Sequence, residues 1–177
     1  MLATTIRGGT LVTAEGGAVR ADVGIDDAGK VAAIAPVLPP GREDIDATGL
    51  HILPGGVDSH CHIEQKTSTG LTPVDDFYTA SASALAGGTT TIVPFACQHR
   101  GSRIRDVVEE YRLHAAKAAA DYALHIIVAD PSEANAMADL RECFAGGYSS
   151  VKVYMTYDAL KLKDVRATRN RRRTSAG

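Results

Sequence analysis

The sequence predicts an α/β fold: the N-terminal half of an eight-stranded βα barrel, preceded by a small β portion. Three observations carry this. Apolar, β-branched runs begin near residues 57, 89, 122 and 149, a repeat of about thirty residues, the length of a βα unit in a parallel sheet. Segments of helical period lie between them and end in Gly-Gly pairs. The first 52 residues instead show short strands broken by Gly, Asp-Asp and Ala-Gly turns. A full barrel needs eight strands, in roughly 250 residues. Four strands in 177 residues make half of one. A complete four- or five-stranded open sheet is the competing architecture, although no G-x-G-x-x-G or phosphate-binding loop supports a nucleotide fold.

The elements follow in order. "TTIRGGTLVT" and "ADVGIDDAGKVAAIA" are strands of the region 1–54, and "VLPPGRED" is a loop. "VDSHCHI" is the first parallel strand. In "TPVDDFYTASASALAGG", Thr72 is placed to cap a helix, Pro73 suits its first position and Asp75 completes a capping box, with Gly87-Gly88 as the stop. "TTTIVPFA" is the second strand. "SRIRDVVEEYRLHAAKAAA" puts Ile104, Val107, Val108, Tyr111, Ala115 and Ala118 on one helical stripe. "YALHIIVAD" is the third strand, and the next helix places Met137, Leu140 and Phe144 on one face. "SSVKVYMTY" is the fourth strand. The barrel portion is expected over 55–160 and a basic, disordered tail over 161–177.

Composition excludes several classes. With 45% hydrophobic and 23% charged residues the chain is an ordinary globular one. No apolar run approaches the roughly 18 residues of a membrane span, and the N-terminus lacks the marks of a secretory signal. Three widely spaced cysteines form no C-x-x-C, which fits a reducing cytoplasm. Residues 161–177 hold seven Lys/Arg against one Asp, whereas 1–160 hold 12 basic against 20 acidic residues. No aromatic interleaves the arginines and no nucleic-acid-binding fold precedes them, so neither nucleic acid nor membrane is an expected partner.

Two anomalies carry chemistry. In "GGVDSHCHIEQ", strand alternation points Asp58, His60 and His62 to one face and Cys61 to the other. They lie near the C-terminal end of the first parallel strand, the end that forms the active-site face of a parallel barrel. Two neutral imidazoles presented together begin a site for zinc or another first-row metal; paired surface histidines are the plain alternative. Lys152 is the second anomaly. Its neighbours of opposite parity, Val151, Val153 and Met155, are expected to pack outward on helices, which aims Lys152 inward. A lone buried ammonium costs several kcal/mol, so it must be neutralised, paired or used.

"PGGVDSHCHIEQ", "DDFYTASASALAGGTTTIVPFA" and "SSVKVYMTY" together resemble the hydantoinase/dihydropyrimidinase group of the amidohydrolase superfamily, from about residue 4 to about residue 164. The resemblance implies an amidohydrolase-type barrel behind a β-sandwich portion. It implies two divalent metal ions, expected to be zinc, with His60 and His62 as metal ligands and Lys152 carboxylated to bridge the pair. It gives Tyr157 a catalytic role at the substrate carbonyl. The implied reaction opens a dihydropyrimidine or hydantoin ring to an N-carbamoyl amino acid, in a homo-oligomeric enzyme acting on a small cyclic ureide or amide. Allantoinase- or dihydroorotase-type hydrolysis, or a non-catalytic scaffolding relative, are the alternatives. The family takes two further metal histidines and a metal-binding aspartate from later strands, which have no counterpart here. His51, His99, His114 and His125 are not expected to replace them. The Arg-rich text beyond residue 164 departs from the family pattern, as a frameshift would make it. Marginal stability, weak or single-metal binding and negligible turnover are therefore expected of this chain alone.

Overall fold

The computed structural model describes residues 1–15, 17–67 and 70–154. Tyr157, Met155 and the basic tail lie outside the described residues. Contacts divide the chain into Met1–Pro54 and a second unit beginning at Gly55.

The first unit is a five-stranded mixed sheet. Its strands are β1 (Thr4–Val12), β2 (Ala18–Ile25), β3 (Val31–Ala35), β4 (Glu43–Asp46) and β5 (His51–Ile52), in the order β3-β2-β1-β4, with β5 also on β1. β1 and β2 run antiparallel with a bulge between Ile6 and Gly9. There Gly8 adopts φ +65°, and its N–H donates to Asp22 at 2.8 Å. The buried Asp22 carboxylate also accepts from Leu38 N–H, at 3.0 Å, so this charge is satisfied by backbone and by Arg7.

The second unit is a parallel sheet with helices on one face. It comprises β6 (Gly56–Cys61), α1 (Phe77–Ala86), β7 (Thr89–Cys97), α2 (Ile104–Ala115), β8 (Asp121–Tyr122), β9 (His125–Ile127), α3 (Ala136–Ala145) and β10 (Val151–Lys152). The strand order is β10-β9-β7-β6, all parallel, and β8 pairs with the start of β7. The expected third strand is thus split into β8 and β9, and the fourth is short. Ile92 and Ala96 of β7, with Leu124, Ile126 and Val128 around β9, form one core with Phe77 of α1, Ile104, Val107, Val108, Tyr111 and Ala115 of α2, and Leu140 of α3. The opposite parity, Phe95, His125 and Lys152, faces away from the helices and builds the site.

Three helix expectations shift. α1 starts at Phe77, not near Pro73, because Asp76 is the N-cap: its carboxylate accepts from Thr79 N–H at 2.8 Å while Thr79 Oγ1 accepts from Asp76 N–H at 3.1 Å. α2 buries the expected stripe from Ile104 to Ala115, but Ala118 lies beyond its end. α3 buries Ala136, Asp139, Leu140 and Cys143 and leaves Phe144 37% exposed. Its face is rotated because Asp139 turns inward to bind Arg103, at 2.6 Å, and the N–H of Arg105, at 3.2 Å. Among the described residues no helix is long and apolar enough to cross a membrane.

Candidate metal-binding site at the parallel strand ends

β6 begins where a side chain cannot fit. A Cβ on Gly55 would lie 2.0 Å from Thr90 Oγ1, so the Gly-Gly before the strand permits close approach to β7. Register then slips: Asp58 pairs with Ile92, and Cys61 with Pro94. Three steps on β6 oppose two on β7, a bulge over Ser59 and His60 facing a proline that has no N–H to give. This corrects the simple alternation. Asp58 does not converge with the imidazoles; its carboxylate accepts from the N–H of His60 at 2.9 Å. Among the described residues no three His, Cys, Asp or Glu side chains gather as a metal cluster.

Past the bulge, alternation resumes. Cys61 and Ile63 go to the helical core, and His60 and His62 to the other face, with ring centroids 5.4 Å apart. Phe95 lies under both: His60 meets it edge-on at 4.8 Å and His62 stacks on it at 4.9 Å. Lys152 reaches the same place from β10. Its Nζ stands 4.0 Å above the Phe95 ring and 3.3 Å from His60 Nε2. Lys152 is half-buried rather than sealed in, so the expected desolvation is only partial. Its ammonium is met by a π face and an imidazole lone pair.

Hydrogen bonds select the tautomers. Gln65 Oε1 accepts from His62 Nδ1 at 2.5 Å, which leaves the His62 Nε2 lone pair free to bind a ligand. The His60 Nε2 lone pair accepts from Lys152. Both rings therefore carry an Nε2 lone pair, as metal-ligating imidazoles require. Two imidazoles and a lysine on one face are a donor set that fits part of a divalent-metal site.

The other histidines have separate roles. His125 stacks near Phe95, with centroids 5.0 Å apart; it donates from Nε2 to the Ser59 carbonyl at 3.0 Å, and its Nδ1 is bonded to Ser150 Oγ. The bulge frees that carbonyl. His51 is in β5 and exposed, and His99 is exposed in the loop after β7. His114 pairs with Glu64 at 2.9 Å. Sequence reasoning missed Phe95 and Gln65. Phe95 is the second-strand residue whose parity matches His125 and Lys152, which was the available signal; Gln65 had none. The Cys61 thiol is pushed up to about 11, first by burial and then by the Asp58 charge, which favours the protonated thiol.

No protein-family model matches the chain. The chain is 41% identical over 160 residues to a D-hydantoinase of Ralstonia pickettii, a match that covers 90% of this chain and 34% of that protein. Over this stretch the chain is a homologue of the hydantoinase/dihydropyrimidinase group. A solved D-hydantoinase structure superposes with a TM-score of 0.87 at 38% identity, over 96% of this chain and 36% of that one. The dihydropyrimidinase of Brevibacillus agri NCHU1002 gives 0.83 at 36% identity, over 92% and 35%. The parallel sheet is accordingly the first half of the amidohydrolase barrel of these hydantoinase neighbours. The chain spans about a third of the length of the curated relatives it matches.

Proposed function

We propose that this chain carries the imidazole-and-lysine part of a metal-dependent cyclic amidohydrolase site, for opening hydantoin or dihydropyrimidine rings to N-carbamoyl amino acids. The observation that carries the reading is the meeting of Lys152 Nζ with His60 Nε2 at 3.3 Å, from residues 92 positions apart. A lysine with an ordinary structural task would seek a carboxylate; this one meets an imidazole and the face of Phe95.

His60 and His62 would hold a divalent ion through Nε2, with Gln65 keeping His62 in the tautomer this needs. The Lys152 ammonium would first give up one proton; the amine so formed attacks carbon dioxide, forming an N–C bond as one C–O π bond opens, and releases a second proton to leave an anionic carbamate. That would turn a cation beside the imidazoles into an anionic oxygen donor whose charge offsets that of bound metal. Phe95 supports all three side chains through its ring. When bound, the metal pair supplies Lewis-acid activation of water and of the ring carbonyl. Tyr157 is assigned to the substrate carbonyl by resemblance to the family. Zinc as the metal, a cytoplasmic setting and homo-oligomeric assembly belong to the same proposal.

The test combines metal analysis with ¹³C NMR in labelled bicarbonate. The purified chain should take up zinc, losing it in His60→Ala and His62→Ala, and should show a carbamate resonance absent from Lys152→Arg. A chain that binds no zinc and shows no such resonance would refute the reading. Ring opening of dihydrouracil and hydantoin, measured on the same samples, reports whether the site turns over.

A further inference from the structure

Glu64 is the only non-glycine residue with positive φ among the described residues, at +51°. That conformation is disfavoured for a side chain with a Cβ and persists only where the surroundings impose it. What imposes it here is visible. The carboxylate is mostly buried, 18% exposed, and joins three elements. Oε1 accepts from the N–H of Phe77, at 2.9 Å, and from Lys117 Nζ, at 2.7 Å. Oε2 pairs with His114 Nδ1 at 2.9 Å. Lys117 continues to Asp76, the N-cap of α1, at 3.1 Å. Burial works to raise the Glu64 pKa, but Lys117, the Phe77 N–H and His114 outweigh it and hold the carboxyl below its ordinary value.

The consequence lies one residue on. The left-handed turn at 64 folds the chain back directly after Ile63, which is buried in the core. This brings Gln65 Oε1 to His62 Nδ1. We propose that Glu64 is a positioning residue: by pinning the end of β6 to the start of α1 and the end of α2, it holds Gln65 on His62 and so presents the His60–His62 pair for metal binding. This rests on the metal-site reading above. It differs from a purely structural role in predicting an effect on imidazole presentation in a chain that remains folded.

Two measurements on the full chain test it. In the metal-free protein, wild type should show a slowly exchanging His62 imidazole N–H resonance, and Glu64→Gln should lose it to exchange. Cobalt(II), followed by its visible absorption, should bind Glu64→Gln about tenfold more weakly, the usual size of an outer-shell effect on metal affinity. Ser81→Ala serves as the control. It removes a buried contact within α1 and to Ala119 without touching the strand end, and should leave both readouts unchanged. If Glu64→Gln fails to fold, Lys117→Met breaks the same clamp from the helical side and should weaken cobalt binding at least threefold. Wild-type resonance and wild-type cobalt affinity in a folded Glu64 or Lys117 variant would overturn the proposal. Should cobalt binding also survive His60→Ala and His62→Ala, the metal-site reading itself fails; loss in those two with none in Glu64→Gln defeats only the role of Glu64.

Discussion

Replacing Phe95 by leucine tests the architecture of the site most directly. Phe95 is 4% exposed and carries His60, His62 and His125 at centroid distances of 4.8, 4.9 and 5.0 Å, with Lys152 Nζ at 4.0 Å from its ring. Leucine keeps most of the apolar burial but removes every ring-specific contact. Aromatic pairs contribute about 0.5–1.5 kcal/mol each beyond burial, and a partly exposed cation–π contact about 0.5–1 kcal/mol. These contacts share one ring and do not add fully, so Phe95→Leu should destabilise the barrel unit by about 2 kcal/mol. Phe95→Ala, which also opens a cavity, should lose about 3–5 kcal/mol. Urea unfolding reports this well, because all 6 tyrosines of the chain lie at residue 78 or beyond and none in the first unit. Tyrosine emission therefore follows the barrel unit alone. With a urea slope of about 2 kcal/mol per molar, the leucine variant should shift its midpoint by about 1 M. The experiment belongs in buffer that contains chelator and no bicarbonate, so that Lys152 is not carboxylated. A double-mutant cycle with Lys152→Met should return a coupling of about 0.5–1 kcal/mol. A midpoint unchanged in Phe95→Leu, or a coupling of zero, would refute the platform.

Three further outcomes are expected. Asp139 is fully buried; burial opposes its ionisation, but Arg103 and the Arg105 N–H outweigh this and hold its pKa below the ordinary value. The stabilisation it provides is therefore complete above about pH 4 and lost as pH falls through the folded-state pKa. Asp139→Asn should cost about 3 kcal/mol at neutral pH, the low end for a broken buried pair because Arg103 is partly exposed, and should flatten the acid limb in pH-dependent unfolding. The Asp76 carboxyl, held down to about 2 mainly by the Thr79 N–H and then by Lys117, predicts a further acid-labile step between about pH 4 and pH 2, absent in Asp76→Asn by circular dichroism. At Gly41 a Cβ would sit 2.9 Å from two backbone atoms, Glu43 O and Thr5 N, which cannot swing aside. Gly41→Ala should thus destabilise the first unit by about 1–3 kcal/mol in thermal unfolding.

Local pattern told much of this protein's story. The period of about thirty residues marked the βα units, and the stripe from Ile104 to Ala115 marked the buried face of α2. The histidine pair and the inward lysine were legible because strand parity is a local property. What parity cannot encode is register. The bulge over Ser59 and His60 exists because β6 lies against Pro94 of β7, and it removed Asp58 from the expected trio. α1 began at Phe77 because Asp76 and Thr79 close a box that Lys117 reinforces from the turn after α2. α3 turned its face because Asp139 found Arg103 36 residues away. The placement of Phe95 beneath the imidazoles, and the forced turn at Glu64, likewise depend on partners distant in sequence. The sequence by itself determined where the imidazoles and the strand lysine stand and which faces are apolar, because those follow from side-chain chemistry and a one-dimensional period. The tertiary structure alone decided which of them meet, because register and long-range pairing arise only when separate strands and helices pack.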